Sequence, residues 1–372
     1  MRIGLSCTVI EPAITQGKID GIGTYTKSLY DEFIKHNHQV IPVSFPTETL
    51  TASALPNGQL FPSSYTHSIL MSMLKPLQND LRNHIDLLHV TDHMVPKLKH
   101  IPVIATVHDA TMFKYPQWYF NSKLGNLKKW MRKKSLSWAD HVITGSPTMI
   151  PELVDYCGID PKKISVVYDG ISPWWSESLS STEKKNLLSK FNLPEKFLLF
   201  TGTLHPKKNL PRLIQAYLQL PSDIQTEYPL IVAGRAGWDA DESLASIRHL
   251  IIRKRGRWLD YVTIEELRAL FQSASVYVHP SLHEGFGLTL LQAFASHTPV
   301  LTSNITAMPD TAGGAAYLVD PYSIDSIKNG LEKMITSLTL QNELREKGIH
   351  RVKQFGWEQC AQETIKIYQS II

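Results

Sequence analysis

The sequence predicts an α/β protein with two parallel sheets, each covered by helices on both faces. Three observations carry this. Short apolar runs alternate with helix-compatible stretches through the first half, the second half repeats the scheme, and ISPWWSESLSSTEKK between them shows no periodicity. The first half reads RIGLSCTVI, a helix from about Ile22 to Lys35, then HQVIPVSF, DLLHV, PVIATVH, HVITG and ISVVYDG, most of them separated by amphipathic stretches. In the second half KFLLFTG, PLIVAG, ASVYVHP, TPVLTS and AAYLV follow. The aperiodic segment reads as a linker with a helix starting near Thr182. Two Rossmann-like domains facing each other across a central cleft are the expected architecture. Ligands in such sheets bind beyond the carboxyl ends of the strands, so the residues just after each strand are the first candidates.

Composition excludes several classes. A chain of 372 residues, 43% hydrophobic and 19% charged, can bury two ordinary cores and is not expected to be disordered. Cys7, Cys157 and Cys360 lie far apart in no metal-ligand spacing, which argues for a reducing compartment, against structural zinc, and for three buried small hydrophobes. The run MRIGLSCTVIEP is broken by Glu11 and Pro12, so it reads as a first strand and not as a signal peptide. No uninterrupted apolar stretch reaches the roughly 18 residues of a membrane span, and a cytoplasmic location is expected. A net charge of +4 is too mild to imply nucleic acid.

Charge distribution says more than the sum. Between Trp118 and Trp138, Lys123, Lys128, Lys129, Arg132, Lys133 and Lys134 interleave with Tyr119, Phe120, Leu124, Leu127, Trp130, Met131 and Leu136. Such a segment is compatible with an anionic membrane surface, and equally with a solvated helix whose apolar side faces the core.

The strand ends carry the chemistry. In GKIDGIGTYTKSL, Gly21 and Gly23 open a helix and allow close approach of an anion or sugar. His108 and Asp109 follow PVIATV directly, at a strand's carboxyl end. After KFLLF, the loop TGTLHPKKNL sets Lys207 and Lys208 at a helix start, where they oppose the helix dipole and call for an anion, phosphate being the obvious candidate. After ASVYVHP comes SLHEGFGLTLLQAF. Alone, Glu284 reads as a first-turn acid and Gln292 as a polar residue on a mostly buried helix. With Lys208 they describe a site for a diphosphate with a sugar beside it: Gly285 and Gly287 bare the amides, lysine neutralises phosphate, and the carboxylate accepts from hydroxyls.

The run PSLHEGFGLTLLQAFASHTPVLTSN resembles the signature of family-4 retaining glycosyltransferases of the GT-B fold, P-S-x-x-E-G-F-G-L-x-x-L-E-A-x-A-x-G-x-P-V. GIGTYTKSL, VHDAT, ITGSP, VVYDGI, TGTLHPKKNL, VAGRAGW, DYVTIEELRALFQSASVYVHPS, MPDTAGGAAYLVDP and FGWEQCAQETIKIY fall in the family's order, so the resemblance covers nearly the whole chain. It looks most like bacterial members with a G-T-x-x-P-[RK]-K-N loop, many of which add mannose or rhamnose to surface polysaccharides.

The resemblance implies a role for each matching residue. Glu284 takes the place of the first glutamate of the E-x7-E motif, on the donor sugar, and Lys208 that of the lysine on the diphosphate. Gly285, Phe286, Gly287 and Leu288 fall in the donor-binding turn. Thr203 stands where many members have arginine, and Lys207 is the candidate to replace that charge. His108 matches the histidine that reaches donor sugar or acceptor, with Asp109 beside it on the acceptor side. Gly21 and Gly23 match the glycine loop near the phosphates, and Val262, after a DY strand, the backbone that reads the base. Trp357 and Glu358 match the start of a last helix that returns to the first domain. The implied domains are 1–172 with 355–372 for the acceptor and 190–354 for the nucleotide sugar, joined by a linker at 173–189.

One departure matters. The motif's second glutamate, which holds the ribose hydroxyls, is Gln292 here. Its carbonyl still accepts a hydrogen bond but without charge assistance, a difference of about 1 kcal/mol. A deoxyribose donor, with one hydroxyl fewer, would suit it. The resemblance implies hexose transfer with retention, no metal and no cofactor. The donor would be a nucleotide-diphosphate sugar such as GDP-mannose or dTDP-rhamnose, the acceptor a glycan or lipid-linked saccharide in polysaccharide or O-antigen synthesis. The rival readings are a non-catalytic sugar-nucleotide-binding homologue and a sugar-nucleotide epimerase of the same fold.

Overall fold

The computed structural model describes residues 1–77, 80–120 and 124–372. It divides into two compact units, Met1–Gly170 with Gly356–Ile372, and Ile171–Phe355. In the first unit the described strands are β1 (Arg2–Ser6), β2 (Gln39–Ser44), β3 (Gln59–Leu60), β4 (Leu87–Val90), β5 (Val103–Thr106), β6 (His141–Thr144) and β7 (Ile164–Val166). In the second they are β8 (Leu198–Thr201), β9 (Leu230–Ala233), β10 (Gly256–Trp258), β11 (Val276–His279), β12 (Val300–Ser303) and β13 (Ala316–Val319). All pairings are parallel, in the orders β3-β2-β1-β4-β5-β6-β7 and β10-β9-β8-β11-β12-β13.

Helices on both faces explain why every residue of β4, β5, β8, β9, β11 and β12 is buried and why most of them are apolar. Each order reverses once, between β1 and β4 in the first sheet and between β8 and β11 in the second. At such a reversal two neighbouring loops leave in opposite directions and open a crevice at the carboxyl ends. In the second unit those loops carry Lys208 and Glu284.

The last helix, Trp357–Ile371, belongs to the first unit. Tyr368 Oη lies 2.6 Å from His89 Nδ1, and His89 Nε2 lies 2.7 Å from Thr106 Oγ1, which ties the helix to β4 and β5 through buried polar groups. Gly170 meets the start of this helix so closely that a Cβ there would stand 2.3 Å from Trp357 N, which only glycine permits.

Four expectations need correction. The strand in RIGLSCTVI stops at Ser6, and Thr8–Ile10 forms a 3-10 turn. No strand runs through Asp260 and Tyr261: the strand is β10, and Asp260 has φ +51°, a left-handed conformation that an extended chain cannot contain. The segment 173–189 is folded into the second unit and is no free connector. Trp175 is buried with its ring 5.9 Å from that of Phe271, the Arg268 guanidinium lies 3.9 Å above the Trp174 ring, and a capping box of Ser180 and Glu183 starts the helix Ser181–Leu188. Two adjacent tryptophans supply apolar area that a solvated linker would waste.

The fourth correction concerns the basic segment. Lys123 lies outside the described residues, and the helix spans Gly125–Leu136. Arg132 does not join its basic face: Nη1 donates to His93 Nε2 at 2.9 Å and approaches Met112 Sδ at 3.5 Å. Lys128, Lys133 and Lys134 are exposed, and so are Leu124, Leu127 and Trp130, at half or more of their full area. The three cysteines are buried free thiols, with burial pushing each pKa up. Among the described residues no helix is long and apolar enough to cross a membrane, and no group of three or more His, Cys, Asp or Glu could hold a metal ion.

Candidate active site

The second unit builds a polar centre where its strand order reverses. After β8 the chain makes a 3-10 turn, Pro206–Lys208, and Asn209 adopts a left-handed conformation at φ +61°. Asparagine tolerates that region. Its buried Nδ2 donates to Pro280 O at 2.9 Å and Pro321 O at 2.7 Å, which staples the lysine turn to the loops after β11 and β13. Leu282 N donates to Lys207 O at 2.7 Å, a second staple. Lys208 Nζ then lies 2.6 Å from Glu284 Oε1, with both side chains largely buried.

Glu284 sits in a dense set of donors. Its Oε1 is 3.0 Å from His279 Nε2 and accepts from Ser281 Oγ at 2.9 Å. Behind it a chain of buried groups runs into the sheet: His279 Nδ1 lies 2.9 Å from Tyr277 Oη, and Tyr277 Oη lies 3.2 Å from Thr201 Oγ1. A carboxylate only accepts, so Nε2 carries the imidazole proton, Nδ1 accepts from Tyr277, and Thr201 donates to Tyr277. Burial would raise the Glu284 pKa, but the ammonium groups of Lys208 and Lys207 and the His279 donor outweigh it and hold the carboxyl well below the usual range. Burial, with Lys208 nearby, lowers the pKa of His279, so the ring is neutral near pH 7.

The turn after Glu284 ends at Gly287, the N-cap of the helix Leu288–Ala295, with φ +105° and no capping side chain. A Cβ at that position would stand 2.6 Å from Met308 Cε. The amide of Glu284 is engaged by Thr306 Oγ1 at 3.3 Å, and Phe286 O accepts from Thr311 Oγ1. On the same helix, Gln292 Oε1 is buried with no hydrogen-bond partner among the described residues. An acceptor left so costs about 1–3 kcal/mol, which a ligand hydroxyl would recover. Thr203 is exposed, and Val262 is half-buried in the loop before the helix Ile264–Ser273, beside Tyr261, whose ring lies 4.4 Å from the Arg235 guanidinium.

The first unit collects the remaining candidates at its own strand ends. Asp20 caps the helix Gly21–Lys35, its Oδ1 accepting from Gly23 N at 2.8 Å. The Gly23 amide, expected to face an anion, is therefore already engaged by a carboxylate, while a Cβ on Gly21 would meet nothing within 4 Å. His108 is packed edge-on against Tyr25 at 4.8 Å, and its Nε2 is buried without a partner among the described residues. Burial lowers its pKa against the opposing pull of Asp109 and of the Thr91 backbone. Asp109 Oδ1 accepts from Thr111 N at 2.9 Å, a turn-forming contact.

Several groups escaped the sequence reading. After β4, Tyr65 Oη donates to Asp92 Oδ1 at 2.7 Å, and burial pushes the pKa of His93, the ring that accepts from Arg132, down to about 4. In the second unit His279, Ser281, Tyr277, Thr201 and Asn209 were missed as site residues. Their signal was present: Tyr277 and His279 are two apart, on one face of a strand that burial on both sides should make Val- and Ile-rich.

Comparison with known proteins gives the family and the fold. Residues 19–174 match the model of Glycosyltransferase Family 4, and residues 183–351 that of Glycosyl transferases group 1. O-antigen chain mannosyltransferase B of Escherichia coli is 30% identical over 267 residues, which cover 72% of this chain and 70% of that protein. The serotype-specific mannosyltransferase WbdA of Escherichia coli is 27% identical over 237 residues, 63% of this chain but only 29% of the relative. Among solved structures, sucrose-phosphate synthase from Thermosynechococcus elongatus superposes with a TM-score of 0.77 at 18% identity, covering 100% of this chain and 99% of that one. WaaG, a glycosyltransferase involved in lipopolysaccharide biosynthesis, gives 0.75 at 16%, covering 98% and 99%. Two parallel sheets with reversed strand order, the lysine turn beside the glutamate, and both family matches in chain order lead to one conclusion: the chain belongs to glycosyltransferase family 4 and has the GT-B fold.

Proposed function

We propose that the protein transfers a hexose, mannose or rhamnose, with retention and without a metal. The donor is a nucleotide-diphosphate sugar, and the acceptor is a glycan or lipid-linked saccharide of surface polysaccharide or O-antigen synthesis. The observation that carries this is the buried pair of Lys208 and Glu284 beside the uncapped helix Leu288–Ala295. An ammonium group and the positive end of a helix suit a diphosphate, and a carboxylate kept ionised suits a sugar ring that gains positive charge. In the front-face route, the bond from the anomeric carbon to the diphosphate breaks while the bond to the acceptor oxygen forms on the same face. The acceptor's proton passes to the departing phosphate oxygen. Lys208, Lys207 and the helix N-terminus stabilise the charge that develops on the leaving group. Acceptor binding is assigned to the first unit, where His108 Nε2 offers an unused polar atom.

The mannosyltransferase names of the relatives support GDP-mannose as donor, and the neutral Gln292 supports a dTDP-sugar. A nucleotide-sugar panel followed by thermal shift decides, since a tight ligand raises the melting point by mass action. Transfer assays with and without a lipid-linked acceptor then separate the rivals: transfer needs acceptor, epimerisation does not, and a non-catalytic homologue shows binding alone. A lower KM for GDP-mannose than for dTDP-rhamnose rules out the deoxyribose reading.

We also propose that the protein works at the cytoplasmic face of an anionic membrane, through the helix Gly125–Leu136. Leu127 and Trp130 are exposed three residues apart on one side, with Leu124 just before the helix and Lys128, Lys133 and Lys134 around it. Each lysine near an anionic surface contributes about 1 kcal/mol. Changing these three lysines to glutamate is expected to abolish sedimentation with anionic liposomes and leave the melting temperature unchanged. Unaltered sedimentation would make the helix an ordinary solvated one. Arg132 is kept, because it faces His93.

A further inference from the structure

We infer that His279 is a positioning residue for transfer: with Ser281 it keeps the Glu284 carboxylate oriented and ionised once the Lys208 ammonium turns to the diphosphate. The inference rests on the donor-site reading above and goes beyond it, because it concerns groups that touch neither donor nor acceptor.

Lys208 has two anions within reach of its task. It lies 2.6 Å from Glu284, yet the same ammonium is needed by a diphosphate that carries at least two charges. The more highly charged partner wins the contact. Glu284, 7% exposed, then loses its strongest neighbour in a place where burial favours the protonated acid. A protonated carboxyl would no longer accept freely from sugar hydroxyls or stabilise a positive anomeric carbon. The groups facing it are Lys208 and Lys207 from the turn after β8, and His279 with Ser281 from the end of β11. Only the last two are free of the diphosphate's pull.

His279 is built for this duty. It is fully buried, so it cannot swing to another partner, and its neutral ring donates without asking for a counter-charge. The Tyr277 and Thr201 hydroxyls behind Nδ1 select the tautomer whose proton points at Glu284. Phenylalanine or leucine would fill the space equally well and would leave the carboxylate with Ser281 alone.

Three variants test the idea. His279→Leu removes the donor; His279→Asn is polar but places its amide near the Tyr277 side, short of the carboxylate; His279→Gln restores a donor near Nε2. For Leu and Asn, kcat is expected to fall about tenfold or more, with KM for the donor changed little, the mark of an interaction made in the transition state. The acid limb of the kcat profile should move up by about one pH unit, and Gln should recover both. A role in packing alone predicts equal losses in Leu, Asn and Gln with an unmoved acid limb, and that result would overturn the inference. A second readout needs no turnover: the carboxyl carbon resonance of Glu284, titrated with saturating GDP, should show a higher pKa in His279→Asn than in wild type. An unchanged titration also overturns it. If wild type transfers no sugar from any donor, the functional reading fails, while the carboxyl titration still decides the role of His279.

Discussion

Replacing Lys208 with methionine is expected to slow transfer by on the order of 10²-fold or more, comparable to losing one preorganised oxyanion donor. The charge that develops on the leaving diphosphate needs compensation, and the ammonium supplies it from a turn whose backbone Asn209 holds in place. Lys207, whose ammonium also acts on Glu284, keeps part of the compensation in place, so the loss is large but not complete. Stability should fall as well, by about 3 kcal/mol, since removing one partner of a buried ion pair strands the other. The pH dependence has a definite sign. In the wild type the folded pKa of Glu284 is depressed, so its contribution is present above the ordinary carboxylate range and disappears as pH falls through the folded value. Thermal melts of the two proteins should therefore differ most near neutrality and converge in acid. A variant that melts alike and turns over at the wild-type rate would remove Lys208 from the machinery.

Replacing Glu284 with alanine is expected to abolish transfer while nucleoside diphosphate binding survives. The two functions separate because the turn that bears Lys208 is held by Asn209 and the helix after Gly287 starts without a capping side chain, neither of which the carboxylate builds. Glutamine at 284 sharpens the test. It keeps the shape and the contacts with Ser281, but it releases Lys208 from an ion pair, so the diphosphate no longer competes with a carboxylate for that ammonium. Isothermal titration should show GDP binding to Glu284→Gln at least as tightly as to wild type, and severalfold tighter where the pair limits affinity, since each 1.4 kcal/mol is about tenfold. Weaker GDP binding would mean that Glu284 contacts the nucleotide itself. Transfer above background by Glu284→Ala would take it off the catalytic list.

Much of the architecture was legible because its signals are local. Strand–helix alternation is written in side-chain period and turn residues, so eleven apolar runs located eleven of the described strands, including all those that flank the lysine and glutamate loops. Of the other two, β3 was not foreseen and β10 was expected at Asp260 and Tyr261, just past its end; both are short edge strands, too brief for period two to register. Gly23 illustrates the opposite limit. Its loop reads as an anion cradle, but Asp20, three residues earlier, takes the amide first. A charge pattern likewise marked Arg132 as surface, whereas the helix turns it inward to His93.

By itself, the order of residues determined the fold class and the family, because strand–helix alternation and the motifs are written within short stretches; that the lysine turn and the glutamate loop, 76 residues apart, share one crevice followed from the fold class and not from any local signal. Which groups surround that glutamate was decided only in three dimensions. Thr201, Tyr277 and His279 meet because β8 and β11 lie side by side in the sheet although 76 residues separate Thr201 from Tyr277, and hydrogen bonds across such a gap leave no periodic trace. The same holds for Asn209, whose two carbonyl partners come from loops 71 and 112 residues away. Sequence pattern encodes which face a side chain shows, and tertiary packing encodes what it meets there.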